Sequence, residues 1–248
     1  MPLEFDVFRD EIKKKNNNKN IPEELHYPFR LCIVGSTGSG KTNIIKNLLF
    51  KHYKDILEKV FYFSAKTDTL NQIKQRHQKE QALFDLELFR QFDNETLEQM
   101  DDQLDEQGEN TLFVFDDMLS KNVMSKHKNN AIDQIIQNGR EAGMSIILTA
   151  QRYMDLNSNA RKDNCSMLII LDNLGLEEVR NLVLEQKINV DKEQFKKLLD
   201  KHAGNQYDFL VIDFTQPINE RFRDSNFNVI DLESDRHELI EGNKPKKK

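Results

Sequence analysis

A chain of 248 residues, 38% hydrophobic and 31% charged, carries enough apolar material for one α/β domain with a sizeable core and is not composed like a disordered polymer. No apolar run approaches the roughly 18–20 residues that a membrane span needs, and Met1–Asp10 lacks the basic-then-apolar order of a secretion signal, so no membrane partner is expected. The net charge of −6 excludes nucleic-acid binding by a global positive field, and any grip on phosphates has to come from local basic patches.

Residues 1–28 read as an N-terminal extension, with the polar run Lys13–Asn20 as a loop. Short apolar runs then alternate with helical patterns. Phe29–Val34, Val60–Ser64, Thr111–Asp116, Ser145–Thr149, Met167–Leu171 and Phe209–Phe214 are the strand candidates. Their continuous Val, Ile and Phe content suits strands covered on both faces. Ile44, Ile45, Leu48 and Leu49 form one apolar stripe after a glycine-rich loop. Leu70–Phe92 reads as one longer helical stretch, followed by the acidic Glu95–Asn110. Ile132, Ile135 and Ile136 mark a helix, and Leu176–Leu184 and Phe195–Leu199 give two more. Strands alternating with helices predict a mostly parallel sheet with helices on both faces over 29–216. Residues 217–248 read as a C-terminal arm ending in the basic Lys244–Lys248. The two cysteines, Cys32 and Cys165, suggest neither a disulfide framework nor a zinc cluster, which fits a reducing, intracellular compartment.

Gly35-Ser36-Thr37-Gly38-Ser39-Gly40-Lys41-Thr42 fits the phosphate-loop pattern G-x-x-x-x-G-K-[ST], with a strand before it and an amphipathic helix after it. Glycines at 35, 38 and 40 let the backbone wrap and turn its N–H groups inward, and the helix N-terminus adds partial positive charge. ATP is therefore expected here. Lys41 would be a mobile, solvent-facing cation able to reach the β- and γ-phosphates, and Thr42 a ligand of Mg2+. Thr111–Asp117 supplies an apolar strand ending in two acids. Asp116 would help hold Mg2+ and Asp117 would polarise the attacking water. One whole strand-and-helix stretch, Val60–Phe92, separates the loop from these acids in sequence. That favours the RecA-like layout, in which a further strand lies between the two. Gln151, at the tip of the Ser145–Thr149 strand, could hydrogen-bond the water or the γ-phosphate. Arg140, between a helix and that strand, is the candidate for an arginine supplied to a neighbouring subunit, with Arg161 the second choice.

GSTGSGKT, FVFDDM, NGREAGMSIILTAQRYMDL and ARKDN together resemble the FtsK–HerA superfamily of DNA-pumping ATPases, and within it the genome-packaging ATPases of poxviruses, other large DNA viruses and virophages. Tyr207–Asp213 is similar to that group as well, so the resemblance covers roughly residues 29 to 223. It implies a RecA-like P-loop ATPase that forms a ring, hexameric or pentameric, and drives double-stranded DNA into a preformed capsid. It also implies Mg2+ as cofactor, a capsid protein at a portal vertex as partner, and the host cytoplasm, a viral factory or the virion as location. By match to the family motifs, Lys41 and Thr42 are the phosphate-loop pair, Asp116 and Asp117 the acid pair, Arg140 the arginine finger and Gln151 the polar sensor. Many superfamily members have Asp-Glu where this chain has Asp116-Asp117, and the viral group often has His where Glu141 stands here. The alternatives are a cellular or conjugative DNA pump and a nucleotide-gated assembly switch with slow hydrolysis. Dependence of ATP turnover on duplex DNA separates them.

Overall fold

The computed structural model describes residues 28–92, 97, 110–118, 131–138, 144–156, 158–172, 174–186, 188 and 190–232. Arg140, Glu141, most of Glu95–Asn110, Lys13–Asn20 and Lys244–Lys248 lie outside these.

In chain order the elements are β1 (Arg30–Val34), α1 (Lys41–Asn47, continued by a π-type turn over Leu48–His52), β2 (Lys59–Ser64), α2 (Thr67–Glu80), β3 (Asp85–Phe89) and β4 (Thr111–Asp116). Then follow α3 (Ala131–Asn138), β5 (Ser145–Ala150), β6 (Met167–Ile170), α4 (Leu176–Gln186), α5 (Lys192–His202), β7 (Leu210–Asp213) and β8 (Phe222–Arg223). They build one eight-stranded sheet in the order β3-β2-β4-β5-β1-β6-β7-β8. Strands β1 to β6 pair in parallel, and β7 and β8 add an antiparallel edge. The expected mostly parallel α/β sheet is thus present.

Strand alternation divides the core into two layers. On β4, Leu112 and Val114 face the side carrying Ile44 and Ile45 of α1 and Leu70 and Ile73 of α2. Phe113 and Phe115 face the opposite side with Ile132, Ile135 and Ile136 of α3, Val179 of α4 and Phe195 of α5. A row of rings crosses three strands on that second side. Phe63 is stacked on Phe115 at 4.8 Å, with the ring planes 7° apart, and on Phe89 at 4.8 Å. The parallel register makes the row, because Phe63 is paired with both Phe89 and Phe115.

Two expectations are corrected. Leu70–Phe92 is not one helix. The helix stops at Glu80, Gln81 takes a left-handed backbone (φ 50°), and Asp85–Phe89 becomes a sheet strand. The alternation Phe84-Asp85-Leu86-Glu87-Leu88 has period two, and β2 offers an unpaired edge beside it; together these outweigh the helix-forming Leu and Glu content. Beyond residue 217, Phe222 and Phe227 are buried, and Phe222–Arg223 adds the eighth strand.

Phe63 lies at the centre of the ring row and is fully buried. Phe63→Ala should cost about 3–5 kcal/mol of stability, read as a lower denaturant midpoint at unchanged slope.

Candidate nucleotide and metal site

The loop Gly35–Gly40 leaves the C-terminal end of β1 and enters α1, the edge at which open α/β sheets bind ligands. Its glycines are required where the backbone demands them. Gly38 and Gly40 have φ of 85° and 113°, and a Cβ on Gly35 would sit 2.5 Å from Ser39 Oγ. The Gly35 N–H donates to the Ala150 carbonyl at 3.1 Å, tying the loop to the end of β5. The Ser36 N–H donates to the Asp172 carboxylate just past β6.

Lys41 is not the mobile, solvent-facing cation expected from the sequence. Its side chain is only 5% exposed, and Nζ donates to the carbonyls of Gly35 at 2.6 Å and Ser36 at 2.9 Å. An ammonium tucked under a loop has three donors to satisfy, and the loop carbonyls are the nearest acceptors. Lys41 Nζ also stands 3.7 Å from Asp117 Oδ1.

Asp116 ends β4 and is 3% exposed. β5 lies between β4 and β1, so one strand width separates this acid from the phosphate-loop strand. The RecA-like spacing therefore holds, although the intervening strand is β5 and not one contributed by Val60–Phe92. Asp116 accepts hydrogen bonds from three hydroxyls: Thr42 Oγ1 at 2.9 Å, Tyr62 Oη at 2.8 Å and Thr149 Oγ1 at 3.0 Å. Burial first, and the two acids second, push the Tyr62 phenol well above its ordinary range, so it stays a proton donor.

Asp117 differs in every respect. Its backbone is left-handed at φ 56°, a conformation uncommon outside glycine. Its N–H donates to Thr149 Oγ1 at 2.8 Å. Thr149 therefore joins the two acids, donating to one and accepting from the next. The Asp117 carboxylate faces two ammonium groups, Lys66 Nζ at 2.6 Å and Lys41 Nζ. The hydrogen bond to Asp117 is the main reason that the Lys66 ammonium is held above its usual range.

Gln151 is exposed, one residue past β5, whose Ala150 carbonyl holds Gly35. Arg161 faces inward. It is 7% exposed, Nε is 2.9 Å from Glu185 Oε2, and its guanidinium lies over the Tyr153 ring at 5.4 Å. Sequence reasoning named neither Tyr62, Lys66 nor Thr149. Thr149 carried a signal, a hydroxyl at the tip of the strand that runs into Gln151.

The oxygens of Thr42 and Asp116 suit a hard cation such as Mg2+, which takes one or two protein oxygens and fills its shell from water and substrate phosphate. Ser39 Oγ, buried in the loop without a hydrogen-bond partner, supports a further polar occupant there. Among the described residues no three His, Cys, Asp or Glu side chains converge on one point, and no helix is long and apolar enough to cross a membrane.

The sequence profile of the poxvirus A32 protein family matches residues 19–216. The chain belongs to that family. The FtsK–HerA type of P-loop ATPase read from the motifs is thereby borne out. Solved structures agree in fold. The DNA-packaging ATPase B204 from Sulfolobus turreted icosahedral virus is 15% identical, with a TM-score of 0.60, covering 83% of this chain and 100% of that one. The genome packaging NTPase B204 from Sulfolobus turreted icosahedral virus 2, in complex with AMP, is 16% identical with a TM-score of 0.55, covering 75% of this chain and 93% of that one. The monomer form of the pCW3 conjugation coupling protein TcpA is 12% identical with a TM-score of 0.53, covering 89% of this chain and 66% of that one. No curated protein matches the chain by sequence.

Thr149→Val keeps the side-chain shape, removes a donor from Asp116 and strips the Asp117 N–H of its acceptor. An unpaired buried group costs about 1–3 kcal/mol, so ATP turnover should fall on the order of tenfold or more. Far-ultraviolet circular dichroism should not change.

Proposed function

We propose that the chain is an ATP-driven motor that moves double-stranded DNA, packaging a viral genome into a preformed capsid in the infected cell. The observation that carries this reading is the joining of a complete phosphate loop to the Asp116–Asp117 pair through Thr42 and Thr149, in a member of the poxvirus A32 family.

In this reading the backbone N–H groups of Gly38–Thr42 cradle the β- and γ-phosphates, and Lys41 shifts from the Gly35 and Ser36 carbonyls to their oxygens. Thr42 would ligate Mg2+ directly and Asp116 would hold it through water; bound there, Mg2+ neutralises charge across the two phosphates. Thr42 can donate to Asp116 while a lone pair of its oxygen remains for the cation. Asp117 orients and polarises the attacking water, with Gln151 placed to steady the water or the γ-phosphate.

Arg140 is proposed to act on a neighbouring subunit's nucleotide. The described residues on either side of its segment are anchored at the edge where the strands begin. Arg30, the first residue of β1, donates from Nε to the Ile136 carbonyl and from Nη2 at 3.1 Å to the Gln137 carbonyl, near the end of α3. The Phe29 N–H donates to Ser145 Oγ at the start of β5. The phosphate loop leaves the opposite edge, a strand length of about 16 Å away. Arg140 itself lies outside the described residues, and its role toward a neighbour in a ring rests on its match to the family motif. Arg161 is the weaker candidate because its charge is already taken by Glu185.

ATP hydrolysis should rise with duplex DNA of any sequence, and that stimulation should fade steeply between low and high salt, since a pump grips phosphates. Turnover indifferent to DNA in an assembled ring, sized by native mass measurement, would count against the motor. Arg140→Ala and Lys41→Ala subunits, each inactive alone, should regain part of the activity when mixed, because some mixed interfaces pair an intact loop with an intact arginine. A trans arginine is worth about 10³–10⁵ in rate, so even a minority of repaired interfaces is measurable. Asp117→Asn should bind ATP and lose turnover; wild-type turnover in that variant removes Asp117 from its role.

A further inference from the structure

The phosphate loop has neighbours on the side away from the two acids. In the sheet β1 stands between β5, with β4 and Asp116 beyond it, and β6. Ile170 of β6 is paired with Val34 of β1 in parallel and with Leu210 of β7 in antiparallel register. The residues just before β7 are therefore carried to the edge where the loop leaves β1. Leu171 and Tyr207 meet there. Leu171 is buried, and its N–H donates to the Val34 carbonyl at 2.9 Å. A Cβ placed on Gly40 would sit 3.5 Å from Leu171 Cδ2 and 3.6 Å from the Tyr207 ring. Both side chains thus close on the last glycine of the loop, where α1 begins.

Tyr207 is presented by a strained turn. Its φ of 73° is left-handed, a conformation that a bulky side chain rarely adopts. It is the third residue of a turn closed by the Asp208 N–H on the Asn205 carbonyl at 3.2 Å, a place that ordinarily goes to glycine. Core burial does not account for a ring there, since Tyr207 is only half-buried, whereas Phe227, also left-handed, is buried against Phe209. The Gln206 amide donates to the Tyr207 hydroxyl at 3.1 Å, and the Asn205 amide donates to the Asp208 carboxylate at 3.0 Å. The Asp172 carboxylate, just past β6, accepts from the Ser36 N–H. These polar groups are engaged with one another, and they frame an aromatic ring beside an aliphatic side chain.

We propose that Tyr207, backed by Leu171, is the platform for the nucleobase of the bound nucleotide, and that it selects purines by stacking and not by reading their edges. The inference rests on the proposed use of the loop for the phosphates and of Thr42 and Asp116 for the metal. With the metal end directed toward β5 and β4, the sugar and base extend across β1 to the side of β6 and β7, where the ring stands. Every base has a π-face, and a purine covers more of a tyrosine ring than a pyrimidine does. Strain held at a ligand-facing turn is a common way to fix such a ring in advance of binding.

The test measures binding of ADP, GDP, CDP and pyrophosphate, each with Mg2+, to the full-length chain by titration calorimetry. The wild-type protein should bind ADP and GDP within about threefold of each other and CDP more weakly, because stacking tolerates a change of base edge. Tyr207→Ala should weaken ADP about tenfold, inside the range for base–aromatic stacking, with pyrophosphate binding unchanged. Tyr207→Leu, which keeps apolar bulk beside Gly40 without the π-face, should lose ADP affinity in the same way, and Tyr207→Phe should stay close to wild type. Wild-type ADP affinity in both Tyr207→Ala and Tyr207→Leu overturns the platform. An equal loss of ADP and pyrophosphate overturns it as well, since Tyr207 would then act only by holding the loop. A strong preference of the wild-type protein for ADP over GDP overturns selection by stacking alone. A wild-type protein that binds neither ADP nor pyrophosphate refutes the nucleotide site itself, an outcome distinct from the loss of the base contribution.

Discussion

A buried carboxylate held only by hydroxyls organises this molecule. Asp116 is almost wholly withdrawn from water, and its three donors, from Thr42, Tyr62 and Thr149, are all neutral. They satisfy its lone pairs and leave its charge. The nearby lysines contact Asp117 and not Asp116, and a carboxylate withdrawn from water in this way suits a cation such as the one proposed to arrive with the nucleotide. The same three hydroxyls come from α1, β2 and β5. One acid therefore fixes the phosphate-loop helix, the strand on one side of β4 and the strand on the other.

Asp117 shows the contrast that divides the labour. It is adjacent in sequence but faces two lysines, so its charge is already matched within the protein. A divalent cation gains more from the uncompensated acid than from the compensated one. This contrast supports the proposed division, in which Asp116 helps to hold the metal and Asp117 acts on the water, on electrostatic grounds independent of their order along the strand. The left-handed backbone at Asp117 ends the strand there, just past Asp116.

The strands that bear the site were legible because parallel strands buried on both faces are written as unbroken apolar runs. Phe29–Val34, Thr111–Asp116 and Ser145–Thr149 all emerge close to these expected bounds. Edge elements were not, since β3 is half exposed and β8 is two residues long, and neither carries enough apolar sequence to declare itself. The loop glycines and both acids could be named from spacing. Tyr62 and Lys66 could not, because each reaches the acids through strand register, and register between distant strands leaves no local trace in the sequence. Lys41 was recognisable by motif, while its tie to the loop carbonyls depended on the folded loop itself. Arg161 looked like a free cation for lack of any sign that Glu185, 24 positions on, would meet it.

The inward turn of Arg161 has a consequence for the architecture. Together with Tyr153, Glu178, Glu185 and Gln186 it ties the segment after Gln151 to α4, with the Tyr153 N–H donating to Glu178 at 2.9 Å and the Tyr153 hydroxyl to Glu185 at 3.0 Å. A shift of α4 would then be felt close to the exit of β5, since Tyr153 lies two residues past Gln151 and four past Thr149. On the other face of the same strand's origin, Arg30 ties α3 to β1, and Ser145 ties β5 to Phe29. Strand β5 is thus gripped at both ends, by a helix-borne polar network near the phosphate loop and by the Phe29–Ser145 contact where it begins. A rigid strand about 16–20 Å long between those two grips links the edge where the strands begin to the acids. The link passes through the one strand that separates the phosphate loop from Asp116, and that strand also carries Thr149, which joins the two acids.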